Sequence, residues 1–288
     1  NNSIFYEHKP SKEQLKWPFD ILNNTGQPTF VNAVAGRKRR ENFNGVNPCG
    51  EVLLDDRQTC NLTTVNVMAF VKEDRTLDLK ALIEAQKLSA RAGLRMTCVD
   101  LELPKWDKMQ KKDRLLGCSL TGWKDAMAML GYSVEEEKAL LKVLGKVARE
   151  EANKYADELG VNRPLLVTAI KPEGTLSQVF GGVSSGLHYA HSPYYIRRVR
   201  INAHDPLCKT LEECGWELKN EVGQGIEVDG KITPVMTKVI EFPVKSPVKK
   251  TKYDVSAIEQ LNTYLNFQKY YTEHNSSITI TVRDNEWE

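Results

Sequence analysis

Two apolar, β-branched runs, residues 62–71 (LTTVNVMAFV) and 165–170 (LLVTAI), bracket a long stretch whose apolar spacing is helical. Runs of that composition suit buried strands. Between them, Leu79, Leu82, Ile83, Ala85 and Leu88 recur at the spacing of one helix face, behind an aspartate that favours a helix start. Buried strands separated by helices pair in parallel, because a parallel neighbour needs a long crossover and the helix supplies it. The alternation restricts the chain to an α/β architecture.

The rest of the sequence keeps to this plan. A second helix is expected over 106–115, a short strand running into a glycine turn over 116–122, and a helix over 123–130. Ser133 and the glutamates behind it form a capping signal for a long amphipathic helix that reaches about Leu159 and stops at Gly160. Later segments read as a strand (194–201), a helix (205–214), a strand (238–244), a helix (255–271) with Ile258, Leu261 and Leu265 inward, and an alternating strand (277–282). Residues 1–45 show no sustained period and read as irregular, with a short strand at 29–31. Arg37-Lys38-Arg39-Arg40 in that region reads as a solvated loop face; the alternative is electrostatic help for an anionic ligand. No composition break marks a domain boundary.

Composition excludes several classes. A net charge of +2 is too mild for a nucleic-acid or acidic-membrane surface. No apolar run approaches the roughly 20 residues of a membrane helix, and the polar N-terminus lacks a signal-peptide core. Six cysteines, at 49, 60, 98, 118, 208 and 214, form no CxxC pair. This usage fits a reducing, cytoplasmic setting rather than a disulfide framework or a structural zinc site.

Chemistry concentrates at residues 46–51, Val-Asn-Pro-Cys-Gly-Glu. In an extended segment Asn47, Cys49 and Glu51 point to one side, offering a carboxamide, a sulfur and a carboxylate to a shared pocket. Cys60 follows 11 residues after Cys49, close enough for the chain to double back. From spacing alone the pair reads as two inert thiols, the alternative being a disulfide that forms and breaks in turnover. Cys98, Cys118, Cys208 and Cys214 have no polar constellation and are assigned to packing. After the 165–170 strand comes Lys171-Pro-Glu-Gly-Thr-Leu-Ser-Gln178 and then a glycine-rich run, 181–186. Such a loop at a strand's carboxyl end suits phosphate, and equally a plain connection. His188 and His191 read as hydrogen-bonded loop histidines rather than metal ligands.

Taken together, Asn47-Pro-Cys49-Gly-Glu51, Thr59-Cys60-Asn61-Leu62, residues 171–178 and Ser184-Ser-Gly-Leu-His-Tyr189 resemble the catalytic subunit of ribonucleotide reductases, most closely the monomeric adenosylcobalamin-dependent (class II) ribonucleoside-triphosphate reductases. The resemblance implies the C-terminal half of a ten-stranded α/β barrel with a catalytic finger loop (about 46–60) and a phosphate loop (about 171–186). It implies that Cys49 carries a thiyl radical that takes the 3′ hydrogen, Glu51 acts as base for the 3′-hydroxyl and Asn47 holds ribose hydroxyls. Cys60 would be one of two reducing thiols, and Gly174, Thr175 and Ser177 would hold substrate phosphate. Adenosylcobalamin is the implied cofactor, with no contacting residue assigned, and a thioredoxin-like or dithiol reductant the implied partner. The family's upstream reducing cysteine has no counterpart among the 48 residues before Cys49. Its N-terminal half-barrel, allosteric region and C-terminal redox tail are also expected to be absent. The chain, which opens on Asn1-Asn2-Ser3 without methionine, is therefore expected to be a fragment or one piece of a split enzyme, completed by a companion polypeptide and unable to turn over alone. Competing readings are a class I large-subunit fragment fed by a separate radical subunit, and a non-catalytic half-barrel partner.

Overall fold

A computed structural model describes residues 3–286. In chain order the elements are β1 (Ser3–Tyr6), α1 (Lys12–Thr25), β2 (Thr29–Asn32), α2 (Ala33–Arg39), β3 (Gly45–Val46), β4 (Leu53–Leu54), β5 (Asn61–Asn66), α3 (Leu79–Met96), α4 (Pro104–Asp113), β6 (Leu116–Thr121), α5 (Trp123–Leu130), α6 (Val134–Leu159), α7 (Leu176–Val179), β7 (Tyr194–Asn202), α8 (Pro206–Glu213), β8 (Leu218–Asn220), β9 (Glu227–Val228), β10 (Lys231–Ile232), β11 (Thr237–Lys245) and α9 (Ala257–Tyr270). The described chain forms two compact units. One is Ser192–Lys249, and the remaining described residues form the other. The smaller unit is built on an antiparallel sheet of order β7-β11-β8, with α8 on the connection from β7 at one edge to β8 at the other.

In the larger unit β5 and β6 pair in parallel, from Asn61 opposite Leu116 to Asn66 opposite Thr121. Residues 166–170 continue the array beside β6 through Leu116 N–H to Leu166 O (3.0 Å) and Cys118 N–H to Val167 O (2.8 Å). Residues 274–277 extend it again, through Ile170 N–H to Asn275 O (3.1 Å) and Ser277 N–H to Ile170 O (2.8 Å). The period of two sorts the side chains. Leu116 and Cys118 face α3 and α6 and pack with Leu94, Ala148, Ala152 and Val167, whereas Ser119 and Thr121 bind the backbone of the following loops. One face of the array is thus apolar and helix-covered, and the other polar and available for chemistry.

Capping accounts for the helix boundaries. Ser133 and Glu136 close a reciprocal capping box on α6, and Gly160 takes the left-handed conformation at its end. Asp78 caps α3 by accepting from Ala81 N–H at 3.1 Å. The same device, Ser11 with Gln14, starts α1 in a region that the sequence presents as irregular. Pro18 within α1 hides that helix from a reading of local pattern, although the Ser11-to-Gln14 spacing carries the signal.

Three further expectations need correction. On α9 the buried residues are Ala257, Gln260, Thr263 and Phe267, while Ile258 (65% exposed) and Leu265 (57%) face outward. Gln260 is buried because its amide bonds the backbone of residue 281 in both directions, at 3.0 Å each, and so satisfies a segment that lacks a full strand neighbour. Cys214 is exposed at the end of α8 rather than packed. The basic run lies on α2, and only part of it meets solvent, because successive helical residues point around the axis. Arg40 is buried and bonds Leu53 O (3.1 Å), Gln58 and Asp113 (2.6 Å).

Candidate active site

β3 and β4 form a small antiparallel hairpin whose turn is Asn47 to Gly50. Gly50 N–H returns to Asn47 O at 2.9 Å, and Gly50 adopts φ 79°, where a side chain is disfavoured. Asn47, Cys49 and Glu51 therefore do not lie along an extended strand, as the alternation argument expects; the turn is what gathers them. Asn47 Oδ1 accepts from Val52 N–H at 2.9 Å, and the Asn47 side chain favours the charged form of the Glu51 carboxyl. Glu51 is 2% exposed, and its Oε2 has no hydrogen-bond partner among the described residues. Burial pushes its pKa up; the Asn47 side chain and the Lys171 ammonium pull it back, and Glu173 opposes them.

The hairpin is pinned by residues far away in sequence. Asn275 donates from Nδ2 to Gly50 O (2.7 Å) and from its backbone to Glu51 O (3.0 Å). Its own Oδ1 is held by Tyr264 and Gln268 of α9. The fully buried His274 accepts from Leu53 N–H at Nδ1 (3.1 Å), so its proton sits on Nε2, which donates to Leu116 O at 2.9 Å. One imidazole thereby ties the hairpin to β6. Arg39 binds the carbonyls of Gln268 (2.7 Å), Glu273 (3.1 Å) and His274 (3.0 Å), fixing the segment that carries both anchors. Nothing local marks His274 or Asn275 as anchors; their hold on the hairpin, like that of Arg39 on their segment, comes through contacts that span more than two hundred residues.

Both thiols near the hairpin are free. Cys49 is exposed, and partial desolvation followed by the Glu51 charge pushes its pKa up. Cys60 packs beside Phe43, Leu53, Leu115 and Leu166, and burial drives its pKa far above the ordinary thiol range, with Cys118 and Glu51 adding. The Glu51 carboxylate is among the causes that raise the pKa of both thiols. At neutral pH both carry S–H. That state suits hydrogen-atom or two-electron reducing chemistry, not a resting thiolate nucleophile.

Behind the hairpin, Lys171 N–H donates to Ser119 Oγ (2.9 Å), which starts the 171–178 loop at the polar face of β6. Gly174 and Thr175 are exposed, and their N–H groups meet no acceptor among the described residues. Ser177 is buried, within 3.1 Å of Ser185 Oγ, and so joins this loop to the glycine-rich one. The glycine-rich loop is held by Asp125 through Ser184 N–H (2.6 Å) and by Thr121 through Gly186 N–H (3.0 Å). His188 makes the hydrogen bonds expected of a loop histidine, with Ser185 O at 2.7 Å and Thr279 N–H at 2.9 Å. Among the described residues no cluster of three or more His, Cys, Asp or Glu side chains is placed to hold a metal.

Residues 29–162 match the family described as the ribonucleotide reductase barrel domain. This segment, a little under half of the chain, is what resembles the ribonucleotide reductase barrel domain. Relatives named adenosylcobalamin-dependent ribonucleoside-triphosphate reductase include those of Lactobacillus gasseri and Lactobacillus helveticus, each 29% identical, over 99% and 93% of this chain. The matches take in 40% and 39% of those proteins. The crystal structure of a B12-dependent (class II) ribonucleotide reductase superposes with a TM-score of 0.82 at 25% identity, covering 99% of this chain and 43% of that one. The class Id α subunit of Actinobacillus ureae shares the fold, with a TM-score of 0.61 at 18% identity, over 94% of this chain and 55% of that one. The relatives reach their greater length in single chains, which lends no support to a companion polypeptide. Among the described residues no helix is long and apolar enough to cross a membrane.

Proposed function

We propose that the chain forms part of the catalytic barrel domain of a ribonucleotide reductase, with a finger loop at about 46–60 and a phosphate loop at about 171–186, and that it reduces ribonucleoside triphosphates to deoxyribonucleotides. The observation that carries this reading is the turn that gathers a protonated Cys49 thiol, the Asn47 amide and a buried Glu51 whose Oε2 is unpartnered among the described residues. Cys49 takes the role of hydrogen-atom abstractor. Glu51 accepts the proton of the neighbouring hydroxyl, and the adjacent hydroxyl departs as water. Asn47 orients the ribose, its Oδ1 held by Val52 N–H. Cys60 gives up one of the two thiol hydrogens that supply the electrons, and a dithiol or thioredoxin-like reductant restores it. Gly174 and Thr175 offer N–H groups to phosphate, and Ser177 braces their loop.

The relatives' names extend the proposal to adenosylcobalamin, which supplies a radical equivalent when bound. The exposure of Cys49 fits a radical source that approaches from outside the hairpin, and no residue is assigned to the corrin. The test is deoxyribonucleotide formation from a ribonucleoside triphosphate by the protein as the cell makes it, supplied with adenosylcobalamin and a dithiol. C49S and E51Q should each abolish product while leaving nucleotide binding in place. Full activity in C49S refutes the reading.

A further inference from the structure

Three side chains, of Thr64, Lys171 and Glu173, are given no role of their own in the function proposed above. Thr64, on the polar face of β5, donates to Glu173 Oε1 at 2.7 Å and accepts from Lys171 Nζ at 3.3 Å. Lys171 Nζ also lies 3.6 Å from Glu173 Oε2, an atom with no hydrogen-bond partner among the described residues. Glu173 is 3% exposed and stands at φ 58°, a backbone region that L side chains rarely adopt. The surroundings enforce it. Gly186 passes so close that a Cβ there would meet Lys171 O at 2.7 Å and Glu173 Cγ at 3.8 Å, and Lys171 N–H is already tied to Ser119.

The cluster is connected to Glu51 through backbone. Asn275 gives its N–H to Glu51 O and its carbonyl to Ile170 N–H, so the base and the residue before Lys171 flank a single extended segment. Among the described residues, the charged groups that act on Glu51 are Lys171 and Glu173, of opposite sign, while Cys49 and Cys60 carry neutral thiols. On the other side, Glu173 O accepts from Ser177 N–H at 3.1 Å and starts α7, so the same residue touches the loop assigned to phosphate.

We propose that Lys171 and Glu173, bridged by Thr64, are positioning residues for Glu51: an opposed charge pair that sets the field in which the base accepts its proton and that ties it to the substrate-phosphate loop. The role of Glu51 as base rests on the function proposed above; its electrostatic dependence on the pair does not.

The experiment reads Glu51 directly, by infrared difference spectroscopy of its carboxyl stretch against pH, assigned by subtraction of E51Q and needing no turnover. K171M should raise the protonation midpoint of Glu51 and E173Q should lower it, each by about threefold or more in proton affinity. The double variant should fall between them. K171R, which keeps the charge and is the milder change if K171M does not fold, should stay near wild type. A merely structural role moves neither midpoint, or moves both the same way, and either result overturns the proposal. Deoxyribonucleotide formation undiminished in E51Q would instead remove the general-base reading and leave the infrared shifts standing.

Discussion

His274 gives the most quantitative handle on the site. Its ring is fully buried, with Nδ1 accepting from Leu53 and Nε2 donating to Leu116, so the fold holds it neutral. Burial, reinforced by Arg40, Arg149 and Arg39, pushes its pKa down to about 3. A base depressed in this way binds protons more readily in the unfolded chain. Its contribution to stability is therefore complete above the ordinary value of 6.5 and is lost as the pH falls from there toward about 3. At about pH 5 the loss is roughly 1.5 × 1.36, or about 2 kcal/mol. Asp125 works against it, so the wild type alone understates the effect. The clean comparison is wild type against H274Q, which retains an amide for hydrogen bonding but cannot titrate. In urea titrations followed by far-ultraviolet circular dichroism, the stability gap between the two should narrow by about 2 kcal/mol from about pH 7.5 to about pH 5. A gap that stays constant would mean that the ring is not held neutral between the hairpin and β6, and the account of how the hairpin is anchored would fail.

Other outcomes follow from the same contacts. Asp125 is fully buried and its pKa is raised to about 6, chiefly by burial. Its ionisation thus penalises the fold as the pH rises through about 4 to 6, and wild type should gain about 1–2 kcal/mol relative to D125N between about pH 7.5 and about pH 5, read by the same titrations. R40M leaves the buried Asp113 without its cation and should cost about 3–5 kcal/mol, measured at neutral pH. Cys49 is exposed yet holds its proton, so iodoacetamide should label it slowly at neutral pH; E51Q, by removing the neighbouring charge, should speed labelling severalfold by mass spectrometry.

The sequence alone determined what local rules can decide. The apolar β-branched runs gave β5 and the extended 166–170 segment, the Ser133 capping box and Gly160 gave α6, and the compact Asn47-to-Glu51 motif suggested the chemistry proposed above. These are legible because a capping box, an amphipathic period and a turn are each encoded within a few neighbouring residues. Even there α1 stayed hidden, its Ser11–Gln14 box masked by Pro18. Tertiary structure decided the rest. It turned Arg39 and Arg40 inward, made Gln260 a buried brace, left Ile258 and Leu265 on the surface, and brought His274 and Asn275 beneath a hairpin formed far earlier in the chain. Hydrogen bonds of that range are chosen by which unpaired backbone groups the fold buries, and a buried carbonyl or N–H leaves no mark on the sequence near the side chain that satisfies it.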